Sequence, residues 1–138
     1  MKFAKLIFVG LMALLTACTN NQPVKSDELV MPEPGQIGIY YFRTSIRCET
    51  CNAIEQLINE ELTGKYADKV KTGKIVFRQF NLDDPGVADF ALQFDVVFKS
   101  LIILKNDKPT NLTNGAFLYV LSKPKKCKIL FEETLDNP

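Results

Sequence analysis

Two cysteines stand three residues apart in Cys48-Glu49-Thr50-Cys51. That spacing lets two sulfurs meet across one helical turn and alternate between dithiol and disulfide. In such a pair the thiolate, not the thiol, is the nucleophile. Cys48, the first and more exposed sulfur, is expected to attack a substrate disulfide, and Cys51, one turn inside, to resolve the mixed disulfide. Arg43 and Arg47 precede the pair and would favour thiolate, whereas Glu49 opposes them. The remaining cysteines are Cys18 and Cys127, and the chain has no histidine. That absence excludes Ser-His and Cys-His nucleophile pairs, histidine acid–base chemistry and histidine-ligated metals.

A cysteine gains acidity at a helix start, where free backbone N–H groups and the positive end of the helix dipole face it. Residues 37–42 are apolar on both faces, as in a strand buried between two layers. From Glu49 to about Tyr66, Ile54, Leu57, Ile58 and Leu62 repeat on one helical face. The pair therefore falls between a buried strand and the helix that follows, and Cys48 opens that helix. There the thiol's ordinary value near 8.5 drops to roughly 3.5–7.5.

Downstream, 71–74 reads as a turn and 75–82 as a second strand. Asp84 and Pro85 read as the cap and first residue of a helix, with Val87, Phe90, Ala91 and Phe94 at helical spacing. Residues 101–104 form a short strand, 105–108 a turn, and 109–112 a weaker strand paired antiparallel. Two helical pieces follow, separated by Pro124. Phe117, Val120 and Leu121 face inward in the first, and Cys127, Leu130, Phe131 and Leu135 in the second. The order β-α-β-α-β-β-α calls for a layered α/β fold with a mixed sheet flanked by helices.

Over residues 37–135 this pattern resembles the thioredoxin superfamily. The resemblance rests on CxxC between strand and helix, on Asn81-Leu82-Asp83 followed by Pro85-Gly86, Ala88 and Phe90, and on the strand beginning at Ser100. It implies a thioredoxin-like fold, Cys48 as nucleophile, Cys51 as resolving thiol, and Lys99 and Ser100 in the substrate loop. Three positions depart from the family. Lys99 stands where the family has a cis-proline, Phe42 where it has a buried carboxylate, and Thr44 where it has an aromatic residue.

The N-terminus carries an address. Lys2 and Lys5 precede an apolar run, 6–15, too short to span a bilayer, which needs about 20 apolar residues. Leu15-Thr16-Ala17-Cys18 resembles the lipobox of bacterial lipoproteins. The resemblance implies cleavage after residue 17 and lipidation of Cys18, and acyl chains then anchor the protein through about 0.8 kcal/mol per buried methylene. Thr19, in place of Asp, matches the pattern sent to the outer membrane, facing the periplasm. Residues 18–36, with three prolines, read as a tether, with a loop folded onto the domain as the alternative, and 37–138 as the folded domain.

Charged residues make up 24% and hydrophobic residues 46%, a globular composition. Without Lys2 and Lys5 the formal charge moves from +1 to −1. So even a balance gives no electrostatic case for nucleic acid, and no cofactor is expected. Cys127 lies on an apolar stripe and reads as core. Tyr41 and Phe98 are candidates for a peptide-docking surface, residues 123–126 read as a solvated helix start, and Asn111-Leu112-Thr113 has the glycosylation pattern. Three functions remain open. One is an envelope thiol–disulfide oxidoreductase acting on exported proteins or small disulfides with a separate redox partner. The others are a non-catalytic binding module and a thiolate metal carrier.

Overall fold

A computed structural model of the chain describes residues 29–137. The expected export signal, Cys18 and most of the expected tether lie outside the described residues. No helix among the described residues is long and apolar enough to cross a membrane.

Strand β1 (Ile37–Arg43) runs through the middle of a four-stranded sheet ordered β2-β1-β3-β4. It pairs in parallel with β2 (Ile75–Asn81) and antiparallel with β3 (Ser100–Lys105). Strand β4 (Lys108–Asn111) completes the sheet antiparallel to β3. Its four residues are exposed and include Pro109, which has no N–H to donate and is tolerated at an edge. The β3–β4 turn places Asn106 and Asp107 at φ 48° and 61°. Two such residues form the tight turn whose twist matches a hairpin, and Asn and Asp accept it more readily than other side chains.

Because side chains alternate across a strand, β1 feeds two cores. Ile39 and Tyr41 face helices α1 (Glu49–Thr63), α4 (Thr113–Tyr119) and α5 (Pro124–Asp136), where Ile54, Ile58, Ala116, Cys127 and Phe131 are buried. Tyr40 and Phe42 face α3 (Val87–Leu92). On that side Phe42 stacks on Phe80 with centroids 5.1 Å apart, and Phe90 and Phe94 close the aromatic cluster. The α1 side also carries Glu61, buried in the helix and paired with Lys128 of α5 at 2.6 Å.

Several boundaries differ from the sequence expectation. The first helix ends at Thr63 because Gly64 leaves helical geometry, and a short α2 (Ala67–Lys71) begins after Tyr66. Asp84 and Pro85 do not open α3; Gly86 at φ 80° breaks the path from Pro85, and the helix starts at Val87. Asp84 instead accepts a bond from Asn81 Nδ2 at 3.2 Å. Leu121 is about half exposed rather than inward, while Val120 is buried. Tyr41 is fully buried and is no docking residue. Near the end of the expected tether, Val30 O accepts the Tyr40 hydroxyl at 2.5 Å, and Pro32 lies close over Gly38.

Candidate active site

The pair lies where β1 hands the chain to α1. Cys48 is the cap of α1, in extended conformation, and its Sγ accepts the Cys51 backbone N–H at 3.2 Å. Its carbonyl accepts Asn52 N–H at 3.0 Å. A sulfur in this position meets the unsatisfied amides of the first helical turn, the arrangement that stabilises negative charge. Cys48 and Cys51 form a disulfide, S–S 2.10 Å. Cys48 is half-buried and Cys51 is 1% exposed. Cys48 is therefore the more accessible residue of the pair.

The loop before the pair is held from two sides. Ser45 N–H donates to Asp83 Oδ2 at 2.7 Å, and Asn81 Nδ2 donates to Ser45 Oγ at 3.0 Å. The bonds to Ser45 hold the Asp83 carboxyl below its ordinary range. From the other side Lys99 Nζ donates to Ile46 O at 2.9 Å and approaches Cys51 Sγ at 3.6 Å. The segment bearing Lys99 is aimed by the end of α3. Val96 N–H returns to Ala91 O and Asp95 N–H to Leu92 O, with Asp95 at φ 56°, the paired bonds of a Schellman ending. Ser100 Oγ then donates to Phe98 O at 2.8 Å as β3 begins. No cis peptide bond occurs among the described residues.

Two expectations about charge change. Arg47 does not turn to the sulfurs: its guanidinium binds Asn52 Oδ1 and both oxygens of Glu55, a fork that lies along α1 and pushes its pKa further up. Arg43 makes no hydrogen bond to either sulfur among the described residues, and its Nε is buried without a partner. The cation beside the pair is Lys99. Glu49 is exposed in the first turn of α1. Phe42, where the resemblance places an acid, sits in the aromatic cluster and offers no proton site.

Thr44 and Lys99 also border an open groove of about 1140 Å³. Its wall is apolar and includes exposed Leu92, Val97, Phe98 and Leu118. Phe98 thus sits where a docking residue would. Cys127 is buried in the α1-side core, with Sγ 3.9 Å from Ala116 O. Burial raises its thiol pKa. No grouping of three or more His, Cys, Asp or Glu suited to a metal occurs among the described residues.

Sequence reasoning missed the Ser45–Asp83 latch and the contact of Lys99 with sulfur. The latch had no local signal, since its partners are 38 residues apart. Lys99 did have one: a lysine stands where the resemblance places a proline, directly before the strand beside β1.

No protein-family model matches the chain, and no curated protein matches it. Among solved structures it is similar to oxidized thioredoxin O2 from Arabidopsis thaliana, at 19% identity and a TM-score of 0.42. That match covers 55% of this chain and 60% of the other, so the chain spans less than two thirds of that thioredoxin. It is also similar to a malarial protein at 19% identity and a TM-score of 0.42, over 64% of this chain and 96% of the other. Strand order and pairing directions, with helices on both faces, make this an α/β domain of thioredoxin-like fold. It carries a CxxC disulfide at the start of its first helix.

Proposed function

We propose that this protein is a thiol–disulfide oxidoreductase of the bacterial cell envelope, held by lipid on Cys18 at a membrane facing the periplasm. The observation that supports it is the placement of Cys48 as cap of α1, half accessible, with its sulfur facing the Cys51 amide. In the reducing direction the Cys48 thiolate attacks a substrate disulfide, forming a mixed disulfide and releasing one substrate sulfur, which takes a proton from water. Cys51 sulfur then attacks Cys48 Sγ and breaks the mixed disulfide. The second substrate sulfur leaves with the bonding pair and is protonated by water. Substrate gains two electrons and the pair becomes the disulfide. Exported proteins or small disulfides are the substrates, and a separate envelope partner restores the dithiol. The lipid address rests on the sequence at residues 1–18.

The test uses the full chain with dithiothreitol as electron source and insulin as the disulfide. Cys48→Ser is expected to lower insulin reduction to the rate of dithiothreitol alone, and reduced Cys51→Ser, mixed with insulin after dithiothreitol is removed, to accumulate mixed disulfides. Retained turnover in Cys48→Ser overturns the assignment. Incorporation of labelled palmitate, expected in the parent and lost in Cys18→Ala, checks the anchor separately.

The apolar groove favours a second reading, a binding module that recognises envelope proteins without turnover. A Cys48→Ser/Cys51→Ser chain that still retains its partners in the envelope, from a parent without insulin activity, would select it.

A further inference from the structure

Lys99 reaches across from the segment before β3 and ends at the inner sulfur. Its Nζ is 3.6 Å from Cys51 Sγ, a contact distance for a charged N–H against sulfur, and 2.9 Å from Ile46 O. The carbonyl fixes the ammonium in place while the pair is a disulfide, so no rearrangement is needed when a charge appears on Cys51. The other charged groups around the pair are directed elsewhere. Arg47 is committed to Glu55 and Asn52, Glu49 is exposed, and Asp83, which lines the same groove as Lys99 and feels its charge, accepts first from the Ser45 amide. Tyr41 and Phe42, on the strand leading to the pair, are buried and carry no charge at neutral pH.

A buried thiol pays for ionising in an apolar setting unless a charge or donor compensates it. The helix start serves Cys48, whose sulfur takes the amide of residue 51. Cys51 lies one turn deeper at 1% exposure. We propose that Lys99 is a catalytic residue of the exchange, its ammonium holding the Cys51 sulfur as thiolate so that the mixed disulfide is resolved without a general base. This inference rests on the oxidoreductase reading above. The Cys51 proton is lost to water before resolution. The thiolate then forms the bond to Cys48 Sγ as the Cys48–substrate bond breaks, and the substrate sulfur takes the electron pair and a proton from water.

The experiment titrates Cys51 by its 13Cβ shift in the full chain carrying Cys48→Ser. An opposite charge at this range lowers a pKa by about 1 or more. Lys99→Met and Lys99→Gln are each expected to raise the midpoint by about one pH unit. Lys99→Arg, which keeps the charge, is expected to restore most of it. A midpoint unchanged in both neutral variants overturns the proposal, as does an Arg variant shifted as far as they are. The titration reads Lys99 independently of turnover. An unsubstituted chain that leaves insulin unreduced defeats the oxidoreductase reading instead, whatever the midpoint does.

Discussion

Tyr41 is fully buried on the α1 side of β1, and its hydroxyl has no hydrogen-bond partner among the described residues. A buried hydroxyl without a partner costs about 1–3 kcal/mol in lost hydration. Tyr41→Phe removes that oxygen and keeps the ring. We expect the variant to be more stable by about 1 kcal/mol, read as a higher urea midpoint at unchanged slope. A destabilised variant would mean the hydroxyl is bonded after all. The same reasoning separates Tyr41 from Phe98: a ring closed into the core cannot dock a peptide, whereas an exposed ring on the groove wall can. Accessibility, not residue type, divides the two aromatics that the sequence grouped together.

The N-terminal arm and β1 meet at Gly38, where a built Cβ would lie 2.6 Å from Pro32 Cγ. That ring is stiff and cannot swing aside as a long side chain would. Gly38→Ala therefore pushes the arm off the sheet, although alanine is the better strand residue by roughly 0.5–1 kcal/mol. We expect the arm around residues 29–34 to become cleavable in limited proteolysis, while β1 to β3 remain protected. Equal protection in parent and variant would show the arm yielding without release. The arm illustrates how a segment with no periodicity still gains order. Its proline packs over a glycine, and its Val30 carbonyl satisfies a core hydroxyl.

Across the molecule, tyrosines are buried on both faces of the sheet: Tyr40 toward α3, and Tyr41 and Tyr66 toward α1, α4 and α5. Burial pushes each of them up to about 12 from the ordinary 10. A raised folded pKa means that the fold favours the protonated form. The associated stability is fully present below pH 10 and drains away as pH climbs from 10 toward 12, because the unfolded chain loses those protons first. The urea midpoint is expected to fall steeply over that window, less so in Tyr40→Phe. A midpoint that stays flat from pH 10 to 12 would contradict the burial of these hydroxyls.

The sequence by itself determined the order of the strands and of the helices other than α2, because hydrophobic period is a local property: two faces on β1, one stripe on α1, a turn at Asn106 and Asp107. It also determined that a sulfur pair opens a helix, since strand, CxxC and helical stripe are contiguous. Helix ends were less legible, as at α3, where Gly86 at positive φ overrides an ordinary Asp-Pro start signal. Only the tertiary structure decided which charges meet the sulfurs. Arg47, next in sequence to Cys48, turns along α1 to Glu55 because that carboxylate is within reach on the same helix. Lys99, 48 residues from Cys51, arrives because β3 pairs beside β1 and the end of α3 aims the chain at the loop. Electrostatics depends on distance through space, and chain spacing does not encode that distance until the sheet is assembled.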